Sequence, residues 1–207
     1  MMVHVLINEK NTIYCYALKK LLGELFETQF GCEITFMTEF IQENIRRADI
    51  MVLSLCRGEP LICTPELLAR NKGVMIGLVK GERYSKETLP ACFQEMIFVS
   101  RDAPLSEFYQ VFSAAWHILQ RDEDTRSHHP CVGCHHQTLS PRQTVIMASL
   151  SQGLSTPAIA EKLKIESKTV YAHKYYVMQK FQLGSEHELH ALLLRIRDKK
   201  TQIKLLR

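Results

Sequence analysis

No apolar run in this chain of 207 residues approaches the ~20 that a membrane-spanning helix needs, and IMVLSLC (50–56) has the length of a buried strand. The start, MMVHVLINEK, lacks the basic region and long apolar segment of an export signal. Both absences lead us to expect a cytoplasmic chain without membrane contact. A phosphate-binding glycine loop, a nucleophile elbow and an acid/base pair are missing too, so the expectation is a protein that is not an enzyme and takes no cofactor. A disulfide framework is equally absent: the seven cysteines are odd in number and scattered through apolar contexts such as TIYCYAL and VLSLCRG, which suits reduced, buried thiols. Acid is scarce at one end only. Residues 139–207 carry 12 Lys/Arg against 5 Asp/Glu, and residues 1–138 carry 14 against 17. That asymmetry suggests that a polyanion would be met at the C-terminal end, although a solvated basic face has the same composition.

What is present divides into two patterns. Over the first 120 residues short apolar runs alternate with amphipathic stretches. VHVLI (3–7), CEITFM (32–37), DIMVLSL (49–55), VMIGLV (74–79) and EMIFVS (95–100) read as strands. YALKKLLGELF (16–26), EFIQENIRRA (39–48), PELLARN (65–71) and residues 105–120 read as helices. This alternation predicts a five-stranded parallel sheet wrapped by helices over 1–120. The polar stretch 121–138 reads as a linker.

From Leu139 onward the pattern is all helix. Ser140, Pro141 and Gln143 form the start signal of a first helix that ends before Gly153. Ser155 with Pro157 starts a second, through Leu163; a third begins near Ser167; Ser185 with Glu188 starts a fourth. The spacing predicts a compact four-helix domain over 139–207. In the third helix Val170, Val177 and Phe181 share one edge, which faces the core, while Lys168, Tyr171, Ala172, Tyr175 and Gln179 fall opposite. Two exposed tyrosines could pack on a neighbouring domain. A short helix, a tight turn and a basic aromatic helix in succession are also the order of a helix-turn-helix, whose second helix enters the major groove.

The stretch LSPRQTVIMASLSQGLSTPAIAEKLKIESKTVYAHKYYVMQKFQL resembles the DNA-binding domain of the LuxR/FixJ/NarL group of bacterial transcription regulators. The resemblance runs from 139 to about 200 and rests on Leu139, Pro141, Arg142, Gly153, Ser155, Ile159 and Ala160, then Lys168, Thr169, Val170, His173, Met178 and Lys180. It departs from the group's pattern at Gln143 (usually Glu), at Gln182 (usually Gly), and at Tyr171 and Tyr175, which are often basic. It implies that Tyr171, Ala172 and Tyr175 read base edges while Lys168, Thr169 and Lys174 hold the DNA backbone. It also implies double-stranded DNA as partner, a nucleoid location when bound, and pairing as a homodimer or as a heterodimer with another LuxR-type regulator. Leu189, Leu192 and Leu193 of the fourth helix would be either a dimer contact or core.

Against the same group, residues 1–120 resemble a receiver domain. The phosphorylated aspartate of a receiver falls on Ser54, the acidic pair on Asn8 and Glu9, the conserved lysine on Arg101 and the Thr/Ser on Val79. An acyl phosphate needs a carboxylate nucleophile and its magnesium several oxygen ligands, so no phosphoacceptor is expected and the domain is predicted to be a degenerate receiver. The combination is similar to enterobacterial accessory regulators of capsule or fimbrial genes. One stretch stands apart. HHPCVGCHH (128–136) places Cys131, Cys134 and His135 in the CxxCH spacing of haem attachment, a pattern that also suits zinc, a redox pair or a plain polar linker. The leading expectation there is a linker with no metal, and the alternative is a metal- or thiol-responsive regulator using Cys131 and Cys134.

Overall fold

The computed structural model describes residues 2–71, 73–81, 84–121 and 136–198. The chain divides into two compact units. The first holds Met1–Leu55, Pro65–Lys86 and Ala91–Gly133, and the second Cys56–Thr64, Glu87–Pro90 and Cys134–Arg207. The division is therefore not the single cut at 121–138 that composition suggests. Two short stretches from the first 120 residues belong to the second unit, where Glu59 accepts from Arg195 Nε at 3.2 Å.

In the first unit five strands pair in parallel, as expected. They are β1 (Met2–Asn8), β2 (Glu33–Met37), β3 (Ile50–Ser54), β4 (Val74–Val79) and β5 (Ile97–Ser100), in the order β2-β1-β3-β4-β5. Every residue of β3 and β4 is buried, because central parallel strands are covered on both faces. Helix α1 (Thr12–Phe30) is longer than its amphipathic centre. Asn11 caps it by accepting from the Tyr14 amide at 3.0 Å, upstream of the apolar stripe, and Gly31 ends it in the left-handed conformation at φ 61°. Leu18, Leu22, Leu25 and Phe26 carry its buried face. They meet Phe108, Phe112, Ala115 and Trp116 of α3 (Leu105–Gln120), with Trp116 edge-on to Phe26 at 5.4 Å and stacked on Phe30 at 5.3 Å. Helix α2 is short (Gln42–Arg47) and buries Ile45. The helix expected over 65–71 is a 3-10 turn at Pro65–Ala69, since a proline start and Gly73 leave too few residues to nucleate an α-helix.

Register fixes what the sheet presents at its C-terminal edge. Asn8 lies opposite Leu53, so the next residues, Glu9 and Ser54, leave β1 and β3 side by side. Arg101 follows β5, and its amide donates to Val79 O at 2.7 Å.

The second unit contains the four predicted helices, α4 (Pro141–Ser151), α5 (Thr156–Leu163), α6 (Ser167–Lys180) and α7 (Glu186–Asp198). Serine caps start α4, α5 and α7, and backbone bonds end α4, α5 and α6. Ser140 Oγ accepts from the Gln143 amide and Gln143 Oε1 from the Ser140 amide, at 3.3 and 3.0 Å, so Gln143 closes the capping box that a Glu would. Ser155 accepts from the Ala158 amide at 3.4 Å and Ser185 from that of Glu188 at 3.2 Å. Helices α4, α5 and α6 all end in the same paired motif, a six-residue and an inner four-residue backbone bond. Leu154, Ile165 and Leu183 donate to Ser149, Ala160 and Met178, around a left-handed residue. That residue is Gly153, Lys164 and Gln182 in turn, at φ 84°, 51° and 56°. Lys164 and Gln182 hold a backbone conformation that L side chains disfavour, which explains why glycine is the usual residue where Gln182 stands.

Candidate functional site

The turn between α5 and α6 is short because the left-handed Lys164 reverses the chain at once, and Ile165 then seals it by donating to Ala160 O at 3.0 Å. Helix α6 leaves this turn with Val170, Val177 and Phe181 fully buried, so its opposite side is solvent-facing. Tyr171, Tyr175 and Tyr176 are 54, 59 and 61 % exposed, and Ala172 and Gln179 are open beside them. Lys168 is exposed in the first turn with Nζ 2.7 Å from Glu166, and Thr169 is half-buried. His173 is half-buried on the flank.

Lys174 is placed otherwise than expected. Its side chain is 6 % exposed, with Nζ 2.7 Å from Glu186 Oε1 in the first turn of α7 and 5.1 Å from the centre of the Tyr171 ring. A cation so engaged is spent inside the unit and is not presented to a phosphate. The helical repeat contains the reason: Lys174 lies about 40° from Val170 around α6, on the buried edge. Tyr176 is the opposite case, a residue of the exposed face that the sequence reading omits. It follows Ala172 and Lys168 at intervals of four, and that row would have found it. On α7, Leu189, Leu192 and Leu193 are buried within the unit, which settles them as core, and Leu194 is exposed at 45 %.

In the first unit, Glu9, Ser54 and Arg101 do converge. Ser54 Oγ donates to Glu9 Oε2, and Arg101 Nη1 donates to both Glu9 Oε2 and Ser54 Oγ. The Arg101 guanidinium lies over the Tyr14 ring at 4.2 Å, and Tyr14 Oη donates to Arg101 O at 3.3 Å. Burial alone would raise the Glu9 carboxyl. The Ser54 hydroxyl, the Asn11 amide and the Arg101 charge outweigh burial and hold it below its usual value of 4.5. Burial and the Glu9 and Asp102 charges push the Tyr14 phenol upward, against the opposing pull of Arg101. This donor set does not fit the magnesium of a receiver. Glu9, the carboxylate at this point, is already engaged by a guanidinium and a hydroxyl.

Cys131, Cys134 and His135 lie outside the described residues. Cys32, Cys63 and Cys92 are buried and Cys15 and Cys56 half-buried, and among the described residues no three His, Cys, Asp or Glu gather as a metal site. No described helix is long and apolar enough to cross a membrane.

The second unit is thus a helix-turn-helix with an open recognition face. Residues 137–193 match the family described as bacterial regulatory proteins, luxR family, so the chain carries a domain of that family at this end. The chain is 45 % identical over 51 residues to the oxygen regulatory protein NreC of Staphylococcus carnosus (strain TM300), covering 25 % of this chain and 24 % of NreC. It is 44 % identical over 50 residues to the transcriptional activator protein BglJ of Escherichia coli (strain K12), covering 24 % of this chain and 22 % of BglJ. The match spans about a quarter of the length of these curated relatives. Among solved structures the chain is similar to RcsB from Salmonella enterica serovar Typhimurium bound to promoter P1flhDC in the presence of phosphomimetic BeF3-. That likeness has a TM-score of 0.54 at 17 % identity over 92 % of this chain and 97 % of the other. It is also similar to a structure of two RcsB dimers bound to two parallel DNAs, with TM-score 0.51 at 15 % identity over 93 % and 98 %. These likenesses show the fold, a receiver-like sheet followed by a luxR-type helical domain.

Proposed function

We propose that this chain is a sequence-specific, DNA-binding regulator of transcription that works without aspartyl phosphorylation. The observation that carries the reading is the solvent-open face of α6 inside a luxR-family domain. Tyr171, Ala172 and Tyr175 read base edges from that face, and Lys168 and Thr169 hold the backbone at its N-terminal turn. Lys174 serves from beneath. The protein acts in the cytoplasm at the nucleoid, as a homodimer or paired with another LuxR-type regulator, and fimbrial or capsule genes are its proposed targets.

Replacing Lys168 by Ala should weaken binding to all duplexes alike and reduce the slope of log affinity against log salt by about one, because one phosphate contact and its released counterion are lost. Fluorescence anisotropy of the full chain on a random-sequence duplex across a salt series measures both; an unchanged slope would remove Lys168 from the interface.

The second half of the reading rests on Ser54 standing where a receiver has its aspartate, with Glu9 and Arg101 neutralising each other beside it. A serine hydroxyl donating to a carboxylate is no acceptor for acetyl phosphate. Incubation with acetyl phosphate and magnesium is expected to leave the intact mass unchanged. A phosphoryl adduct mapping to residues 1–120 would defeat this half while leaving DNA binding untouched.

A further inference from the structure

Helix α6 turns three phenol rings to solvent and keeps its middle cation inside. Tyr175 and Tyr176 meet edge to face at 6.2 Å, so they form one continuous aromatic surface. The other two lysines of α6 stand at its ends, Lys168 beside Glu166 and Lys180 donating to Thr138 O at 2.8 Å. No arginine or lysine therefore rises from the centre of the exposed face. Guanine is gripped in the major groove by Arg or Lys on its O6 and N7, and the lysine this face carries, Lys168, stands on its first turn with Nζ 2.7 Å from Glu166. Thymine presents a methyl group and a single acceptor, O4, which match a ring surface and one hydroxyl. A single helix ~10–12 Å across is also the shape that enters a major groove ~12 Å wide, whereas stacking on single strands needs bases splayed onto a platform.

We propose that α6 selects its sites by the methyl groups of thymine, read by Tyr171, Tyr175 and Tyr176, with Lys174 as a positioning residue for Tyr171. The proposal rests on the DNA-binding reading above. Lys174 reaches the Tyr171 ring while held by Glu186, so the ring is braced from the side of the core and its free edge stays directed outward.

The full chain is used to select duplexes from a randomised library, and the recovered sequences are resynthesised with deoxyuridine for thymidine or with 7-deazaguanine for guanine. Each contacted methyl removed should weaken binding about fourfold, and two about fifteenfold, from the transfer value of one buried methyl-sized group. The 7-deazaguanine duplexes should bind as before. Tyr171→Ala should lose about fourfold of the uridine sensitivity. Lys174→Met should lose part of it with the salt slope unchanged; a slope reduced by about one would instead make Lys174 a phosphate contact and end its positioning role. Indifference to uridine with strong loss on 7-deazaguanine overturns the methyl reading and leaves DNA binding standing. Failure to recover any duplex overturns both readings, and tighter binding to single strands of the library overturns the groove reading. The uridine arm uses the unaltered protein, so it does not depend on how any variant folds.

Discussion

Phe181→Ala is expected to lower the stability of the second unit by about 3–5 kcal/mol, the range for emptying a buried phenylalanine site. Phe181 is 1 % exposed and sits on the edge that Val170 and Val177 share, where α6 gives way to the left-handed Gln182. The backbone bonds of the chain reversal on either side of it hold its position, which limits how far the emptied site can collapse. A helical domain of this size has roughly 0.05–0.15 kcal/mol of stability per residue, so the loss takes from about a third to all of it. DNA binding should fall with the folded fraction. Urea denaturation followed by far-ultraviolet circular dichroism measures the change. Fluorescence of Trp116, the single tryptophan and a residue of the first unit, reports the sheet, whose midpoint should move less. Phe181→Leu, closer in volume, should cost below about 1.5 kcal/mol. An alanine cost of that same small size would show that the ring is not a core element.

The architecture was legible because most of it is written locally. Ser140, Ser155 and Ser185 announce their helices within four residues, and the strands β3 and β4 are continuous apolar runs that only a doubly covered sheet accommodates. Lengths were less legible. The sequence reading ends this helix at Phe26, but α1 runs on to Phe30, which stacks on Trp116, and stops where Gly31 turns left-handed, because the cap sets the end. At Pro65–Ala69 an apolar stretch with helix-forming residues became a 3-10 turn, since the span before Gly73 is too short to repay α-helix nucleation.

The site divides in the same way. The exposure of Tyr171, Ala172 and Tyr175 follows from their angle to Val170, and the resemblance to a receiver domain brings Glu9, Ser54 and Arg101 to one sheet edge, a placement that register explains. The burial of Lys174 is legible in its angle to Val170 but not in its charge. A lysine near Val170 on the wheel can be buried only if a partner awaits it, and Glu186 stands twelve positions away on another helix. No local pattern shows that pairing. The same holds for the Arg101 stack on Tyr14, which joins residues 87 positions apart.

Arg101→Met is expected to destabilise the first unit by about 3 kcal/mol and to change how its stability responds to acid. Removing one partner of a buried pair leaves the other charge without compensation, at about 3–5 kcal/mol, and the lower end applies because the Arg101 side chain is 26 % exposed while that of Glu9 is 5 %. In the unaltered protein the folded Glu9 carboxyl sits below 4.5, so the stability it contributes is fully present above 4.5 and is lost as pH falls through the lower folded value. Arg101 supplies two of the influences that lower it, charge and hydrogen bond, whereas burial, which raises it, persists in the variant. The folded value therefore moves up, and the acid-side loss of stability begins at higher pH. Urea midpoints read by Trp116 fluorescence at successive pH values follow the shift directly. Adding Glu9→Gln to Arg101→Met removes the stranded charge and should recover part of the lost stability, while the acid-side dependence due to this pair disappears. An unchanged acid limb in Arg101→Met, with no recovery in the double variant, would mean that the guanidinium does not neutralise Glu9, and the account of a self-neutralised receiver site would fail with it.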